Sequence, residues 1–157
     1  MKKALLIMIL PLMISIKADA KEVLTVNQEY VPMIEEICEE YNICPELVET
    51  IIWHESRFIP TVVGSGKYIG MMQIHPGSHK DRMKRLGVTD LKDARQNITV
   101  GVDYLAELFE EYEDPGVVLD YYSGQPHEIA WYEAGNMTKY SRLILEESAE
   151  LEREHEK

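Results

Sequence analysis

The sequence has little positive charge for its length. Among its 157 residues, 16 lysines and arginines stand against 28 aspartates and glutamates, which gives a formal net charge of −12 at pH 7. The phosphate backbone of nucleic acid repels an acidic protein. The densest basic stretch, 79–85, is short, is interrupted by Asp81, and is typical of a solvated helix face. We therefore predict no nucleic-acid partner.

The sequence also lacks a hydrophobic run long enough to span a bilayer. The N-terminal apolar run, 4–16, has 13 residues, whereas a membrane-spanning helix needs about 20. Two lysines precede the run and Ala18-Asp19-Ala20 follows it, as in a signal peptide. We predict that 1–20 is a signal peptide cleaved near Ala20, and that 21–157 is one secreted or cell-envelope domain. Retention of the leader as an anchor remains the alternative.

Cysteine is scarce, and no metal-binding pattern is present. Cys38 and Cys44 are the only two cysteines. Export would permit a disulfide between them, but the bond depends on their Cα separation, so a disulfide and two half-buried thiols both remain open. His75 and His79 are four residues apart, with Pro-Gly between them and no third ligand evident. We predict no metal and no cofactor.

The residues that are present favour a compact helical domain. Hydrophobic residues make up 45% of the chain, enough for the core of a single domain. Helical spacing and capping residues predict helices over 31–41, 45–57, 78–86, 93–112, 117–122 and 128–134, and one that begins after Thr138. Glycines and Pro60 make 58–67 a loop, with at most a hairpin around 61–68, and 70–74 is expected to form one helical turn. The charged tail from Glu146 is expected to fray.

One acidic residue lies on an apolar helical face. Val48, Ile51, Ile52 and Glu55 are spaced at i, i+3, i+4 and i+7, which places them on one side of a helix. A carboxyl group that is buried there either raises its pKa or pairs with a cation. A raised pKa is what a general acid needs near neutral pH. The alternative is a carboxylate at the helix rim, in water or paired with Arg57.

Four motifs occur in a fixed order along the chain. They are Glu55-Ser56-Arg57-Phe58, Gly70-Met71-Met72-Gln73-Ile74, Asn97-Ile98-x-x-Gly101-x-x-Tyr104-Leu105 and Tyr122-Ser123-Gly124. This order resembles that of the lytic transglycosylase family with the soluble-transglycosylase, lysozyme-like domain, and the resemblance runs over about 31–145. It implies a mainly α (α+β lysozyme-like) fold with a glycan cleft. Asn97, Gly101 and Tyr104 would then pack the longest helix.

The resemblance implies a reaction on bacterial peptidoglycan. Glu55 would act as the single acid/base and cleave the β-1,4 bond between N-acetylmuramic acid and N-acetylglucosamine. The substrate's own N-acetyl group would assist, and a 1,6-anhydro ring would form instead of a hydrolysis product. A hydrolytic muramidase of the same fold, or a non-catalytic glycan-binding or assembly component, remains the alternative.

The resemblance also indicates residues that contact the substrate. These are Ser56, Ser65, Met72, Gln73, Tyr122 and Tyr140. For Ser56, a hydrogen bond to the last carbonyls of its helix is the other interpretation, and for Tyr140, a place in the core. Two departures from the family pattern affect this set. Ser123 stands where the family usually has asparagine. Family members often have a substrate-contacting serine in the loop after the catalytic acid, and Gly64 occupies the closest matching position here.

A second carboxylate is missing close to Glu55. A hydrolysing lysozyme needs one across the cleft, and in lysozymes of related fold it comes from the segment shortly after the catalytic glutamate. No aspartate or glutamate occurs between Arg57 and Lys80, which favours anhydro-forming cleavage. Asp103, Glu107 and Asp120 remain as residues that could fold into the cleft.

The pattern does not identify a biological role. Cell-wall remodelling, secretion or conjugation machinery and phage entry all use this chemistry. One small domain without wall-binding repeats favours local, partner-directed action, and we predict a monomer that binds glycan strands.

Overall fold

The computed structural model describes residues 23–156 and forms a mainly α-helical domain. Within that range the elements are α1 (Val31–Tyr41), α2 (Pro45–Ser56), a 3-10 helix (Ser65–Lys67), α3 (Lys80–Leu86), α4 (Ala94–Glu111), α5 (Pro115–Tyr122), α6 (Ile129–Glu133) and α7 (Lys139–His155). None of these helices is long and apolar enough to cross a membrane. The predicted signal peptide, 1–20, lies outside the described residues.

Short-range signals in the sequence set the ends of several helices. Asp93 and Thr138 each cap a helix, with side-chain oxygens that accept hydrogen bonds from the backbone N–H groups of Gln96 and Ser141. α5 starts with proline at its first position, where the missing N–H costs no helical hydrogen bond. The cap that the sequence predicted at Thr138 is therefore confirmed.

The helices pack around one hydrophobic core. α7 lies against α2 and α5, and α4 lies against α1 and α5. The predicted apolar face of α2 is confirmed, because Val48, Ile51 and Ile52 are fully buried. Burial of each such side chain stabilises the fold by roughly 1.5–3 kcal/mol. The other fully buried apolar side chains among the described residues are Ile34, Cys38, Met71, Met72, Ile98, Val100, Val102, Leu105, Val118, Leu119 and Ile144.

The loop after α2 agrees with the prediction at first and differs from it at 70–74. The segment predicted to form at most a hairpin, 61–68, has only isolated bridges, Val63 with Ile69 and Ile69 with Ile74, which agrees with that prediction. Segment 70–74 is a turn and not helical, because Gly70 (φ 79°) and Gln73 (φ 49°) adopt left-handed conformations that a right-handed helix excludes.

The charged tail is helical, although the sequence predicted that it would fray. α7 continues to His155, and Glu147, Ser148 and Leu151 on this stretch are buried. His155 Nδ1 lies 2.9 Å from a carboxylate oxygen of Glu46 on α2. The prediction of fraying followed from the high charge of this segment and overlooked the buried residues that recur at helical spacing.

The two cysteines are free thiols. Cys38 is buried near the end of α1, and Cys44 is exposed at the start of α2, where its thiol donates to Glu46 Oε2 at 3.2 Å. The sequence left open a disulfide between Cys38 and Cys44 and two separate thiols, and the structure contains two separate thiols.

Candidate active site

A cleft of about 380 Å³ opens beside the last turn of α2. Its walls come from α2, from the loop after α2, from the start of α3, and from α4, α5 and α7. The lining residues are Glu55, Gly64, Ser65, Tyr68, Met72, Gln73, Ile74, His75, His79, Tyr104, Tyr122, Ser123, Gln125 and Tyr140.

Glu55 is half-buried and faces this cleft. Burial raises the pKa of its carboxyl group, because removal from water disfavours the charged form. Two weaker effects oppose this rise. The Tyr140 hydroxyl donates to Glu55 Oε1 at 2.8 Å, and His54 is close enough to favour the carboxylate electrostatically. The group is therefore suited to give a proton and to accept it back.

Two half-buried tyrosines flank the carboxyl group. The Tyr122 hydroxyl donates to the Met72 carbonyl at 2.9 Å, which ties α5 to the cleft floor. Burial and the nearby Glu55 charge hold the pKa of Tyr122 and of Tyr140 well above the usual range. Both hydroxyls therefore stay protonated and act as neutral hydrogen-bond donors.

Asn97, a fully buried residue of α4, holds the turn that forms the cleft floor. Its Oδ1 accepts from the Met72 backbone N–H at 2.8 Å, and its Nδ2 donates to the Ile69 carbonyl at 2.7 Å and to the Leu91 carbonyl at 2.9 Å. Gly101 contributes by its small size, since a Cβ there would lie 2.3 Å from the Met72 sulfur.

Gln73 is held in a strained conformation at the cleft. Its φ of 49° is uncommon for a residue other than glycine, and such strain concentrates at functional sites. Its Nε2 donates to the Gly70 carbonyl at 3.0 Å. Its Oε1 occupies space that is open only because residue 64 is glycine, since a Cβ at Gly64 would lie 2.2 Å from it. The glycine that departs from the family pattern thus makes room for the Gln73 amide.

Two of the alternative carboxylates are paired with arginines away from the cleft. Asp103 accepts from Arg82 at 2.8 Å and from Arg85 at 2.7 Å. These cations lower the pKa of Asp103 although burial opposes them. Glu107 accepts from Arg82 at 2.5 Å.

The third alternative carboxylate, Asp120, is sealed in the core. It is fully buried, and its Oδ1 accepts from the hydroxyls of Thr138, at 2.6 Å, and Ser141. Among the cleft-lining residues that the structure describes, Glu55 is therefore the only aspartate or glutamate.

The chain matches one family model over most of its length. The model is that of the transglycosylase SLT domain, and it matches residues 32–144. The chain belongs to the transglycosylase SLT domain family. The family resemblance predicted from the four ordered motifs is thus confirmed.

Curated relatives of this SLT domain are longer proteins. Membrane-bound lytic murein transglycosylase F of Desulfosudis oleivorans is 30% identical over 105 residues, which cover 65% of this chain and 22% of that protein. The transglycosylase of Enterobacteria phage PRD1 is 33% identical over 92 residues, which cover 59% of this chain and 33% of that protein. The chain thus spans a third or less of the length of these two relatives.

A solved structure resembles the SLT domain in fold. It is an inactive mutant of the lytic transglycosylase Slt from Pseudomonas aeruginosa, with a TM-score of 0.57 and 16% identity over 74% of this chain and 20% of that chain. At this identity the likeness shows the fold alone, which agrees with the predicted mainly α, lysozyme-like class.

The SLT domain brings most of the sequence-predicted site residues to one cleft. Glu55, Ser65, Met72, Gln73, Tyr122 and Tyr140 all line it. Ser56 does not: its side chain is buried and its hydroxyl donates to the Ile52 carbonyl at 3.1 Å. This contact corresponds to the second interpretation given for Ser56, a hydrogen bond within its own helix.

Several cleft residues were missed from the sequence. His75 and His79 were considered only as metal ligands, and Tyr104 only as a packing residue, yet all three line the cleft, as does Tyr68. For Tyr68, His75 and His79, proximity in sequence to the Gly-Met-Met-Gln motif was the available signal, and for Tyr104 it was membership of the Asn97-Ile98-x-x-Gly101-x-x-Tyr104 motif. Within the described range, no group of three or more His, Cys, Asp or Glu side chains is arranged to hold a metal ion.

Proposed function

We propose that this SLT domain is a peptidoglycan lytic transglycosylase with Glu55 as its only catalytic acid/base. The observation that carries the proposal is the isolation of Glu55, since no other carboxyl group is found among the described cleft residues. A hydrolase of either standard type needs two carboxyl groups across the bond. The names of the relatives support the same reaction class.

In the first step, Glu55 donates its proton to the glycosidic oxygen between N-acetylmuramic acid and N-acetylglucosamine. Its burial supports this role, because the raised pKa keeps the proton on the group. As the C1–O bond breaks, the carbonyl oxygen of the muramic N-acetyl group attacks C1, which gives a cyclic oxazolinium ion and a free 4-hydroxyl on the leaving sugar.

In the second step, the Glu55 carboxylate takes the proton from the C6 hydroxyl of the same muramic residue. O6 then attacks C1 and reopens the oxazolinium ring to the N-acetyl group, so the 1,6-anhydro bond forms without water. The Tyr140 hydroxyl stabilises the carboxylate between the two steps through its 2.8 Å hydrogen bond.

The remaining cleft residues are proposed to position the glycan. Gln73 and Ser65 supply polar groups, Met72 forms the apolar floor, and Tyr122 fixes that floor through the Met72 carbonyl. We also propose that the leader, 1–20, is removed near Ala20 and that the domain acts in the cell envelope. The phage relative fits a role in locally opening the wall.

Product analysis tests this function. Purified peptidoglycan is digested with the 21–157 chain, and the soluble muropeptides are analysed by mass spectrometry. We expect 1,6-anhydromuropeptides, which are lighter by one water than hydrolysis products. Reducing-end products would instead assign a muramidase, and the absence of any product from the wild type would assign a non-catalytic domain.

A further inference from the structure

Two histidines in the cleft take no part in the proposed chemistry. His75 and His79 both line the cleft that holds Glu55, and both are half-buried. The state of each imidazole is restricted by a donor on the protein, because an imidazole nitrogen that accepts a hydrogen bond cannot carry a hydrogen.

Arg82 fixes the tautomer of His79. Its Nη1 lies 2.7 Å from His79 Nδ1. A guanidinium group has donors and no acceptor, so Nδ1 must accept and be unprotonated. The single hydrogen of the neutral ring is therefore on Nε2.

Arg82 is itself held in place. Its guanidinium donates to Asp103 at 2.8 Å and to Glu107 at 2.5 Å, and it lies 4.7 Å from the centre of the Tyr104 ring. The His79 ring contacts the same tyrosine edge-on, with 4.7 Å between ring centres. Burial, helped by the Arg82 charge, lowers the pKa of His79 to about 4. His79 is therefore neutral throughout the neutral pH range.

A backbone N–H group fixes the tautomer of His75 in the same way. The Ser78 N–H donates to His75 Nδ1 at 3.2 Å, so the hydrogen of the neutral ring is again on Nε2. A Cβ at Gly77 would lie 2.9 Å from His75 Cε1, so the glycine allows the ring to fold back over the turn. Neither Nε2 has a hydrogen-bond partner within 23–156, and neither is sealed from solvent.

We propose that His75 and His79 form a substrate-binding pair that presents two neutral Nε2–H donors to N-acetyl carbonyl oxygens of the glycan. The inference rests on the proposed function for the choice of glycan. Peptidoglycan offers neutral acetamido carbonyls and anionic stem-peptide carboxylates. A neutral donor binds a carboxylate less strongly than a cationic donor does. We therefore expect these neutral donors to bind the neutral acetamido carbonyl.

The tautomers are tested without any turnover. Long-range proton–nitrogen NMR spectra of the chain labelled with ¹⁵N-histidine report which ring nitrogen carries hydrogen. For His79 we expect a neutral ring with hydrogen on Nε2 from pH 5.5 to 8. A charged ring, or hydrogen on Nδ1, in that interval would overturn the proposal even if the enzyme proved fully active.

Binding is tested with chitohexaose, which carries N-acetyl groups and no carboxylate, in the Glu55→Gln background to prevent turnover. We expect His79→Ala to weaken binding about three- to tenfold, the effect of one hydrogen bond. His79→Gln, whose Nε2 keeps a donor at similar reach, should restore most of it. His127→Ala is the matched control, since that exposed histidine lies outside the cleft lining and stacks on Trp131.

Partly de-N-acetylated chitohexaose identifies the acceptor. It should bind more weakly and show little further loss on His79→Ala. If His79→Ala weakened the binding of both oligosaccharides equally, the acetamido carbonyl would be rejected as the acceptor. If His79→Ala left both affinities unchanged, His79 would be rejected as a binding residue. Both outcomes are distinct from failure of the proposed function, which the muropeptide products decide.

Discussion

Helix α2 carries two acidic residues whose surroundings contrast, Glu49 and Glu55. Burial raises the pKa of both, in Glu49 to about 7. Glu49 is only 1% exposed, and its Oε2 has no hydrogen-bond partner among the described residues. Glu55 is half-buried, accepts the Tyr140 hydroxyl, and faces the cleft. A raised pKa alone therefore does not mark a catalytic acid.

The two sites differ in what surrounds the carboxyl group. Around Glu49, the charge of His155 lowers its pKa and the charges of Glu46 and Glu35 raise it further, but only 1% of the residue is exposed, so a substrate does not reach the carboxyl group. Around Glu55, hydroxyl groups and an open wall allow a glycosidic oxygen to approach. Access and a partner for the charged form distinguish the candidate catalytic group from a buried acid.

The largest expected effect comes from matched substitutions of the two glutamates. Glu55→Gln removes the proposed acid/base, so we expect release of soluble muropeptides to fall by a factor on the order of a hundred to ten thousand. Glu49 is not among the residues that line the cleft, so the activity of Glu49→Gln should stay within about threefold of that of the wild type. The measurement is the initial rate of muropeptide release at pH 5.

Circular dichroism of both variants provides the control for folding. If Glu49→Gln lost activity as completely as Glu55→Gln while it remained folded, the contrast between the two sites would be broken. If Glu55→Gln kept its activity, Glu55 would not be the catalytic acid.

A second, smaller effect concerns stability. The pKa of Glu49 is raised in the folded state, so its contribution to stability is fully present below about pH 4.5, the ordinary glutamate value, and is lost as pH rises through about 7. Glutamine does not titrate. The free energy of unfolding of Glu49→Gln minus that of the wild type should therefore increase by about 1–3 kcal/mol from pH 5 to pH 8.

Urea unfolding at the two pH values measures this gain. The comparison is a difference of differences, so any constant effect of the amide cancels, and so does the titration of groups that do not interact with Glu49. A Glu49→Gln variant whose stability parallels that of the wild type from pH 5 to pH 8 would show that Glu49 does not titrate as a buried acid.

The contrast on α2 also indicates what sequence could and could not provide. The spacing of Val48, Ile51 and Ile52 predicted one buried face and located Glu55 at its end. The burial of Glu49 on another face was not predicted, because it depends on α7, whose charged tail was expected to fray. α7 packs along α2 as far as His155, and this long-range contact is not encoded in local periodicity.

The same distinction holds for the cleft. Helices with strong capping residues were predicted to within about two residues. A loop was predicted over 58–67, but the shape of the segment 58–79 was not predicted, because that shape depends on Asn97, which binds the turn from a distant helix. The proposed roles of His75 and His79 depend on contacts with Ser78 and Arg82 in three dimensions, whereas their spacing in the sequence was considered only for metal binding, which was not predicted.

The smallest expected effect is a shift in the pH profile when Tyr140 becomes Phe. The Tyr140 hydroxyl favours the charged form of Glu55 and so lowers its pKa against the effect of burial. Without it the pKa rises further, and the proton stays on Glu55 to higher pH. In the proposed mechanism the protonated form of Glu55 starts the reaction, so the activity of Tyr140→Phe should decline at higher pH than that of the wild type. The rate at pH 5 should fall less than about tenfold, the value of one hydrogen bond.

The Tyr104→Phe variant is the matched control for this shift. Tyr104 lines the same cleft, but its hydroxyl lies 3.5 Å from the Tyr121 carbonyl and makes no bond to Glu55. The activity of Tyr104→Phe should therefore decline over the same pH range as the activity of the wild type. A decline in Tyr140→Phe that moves to lower pH, or one that Tyr104→Phe reproduces, would mean that the hydroxyl on Glu55 does not set its proton affinity. The contrast with Glu49 would then depend on access to the cleft alone.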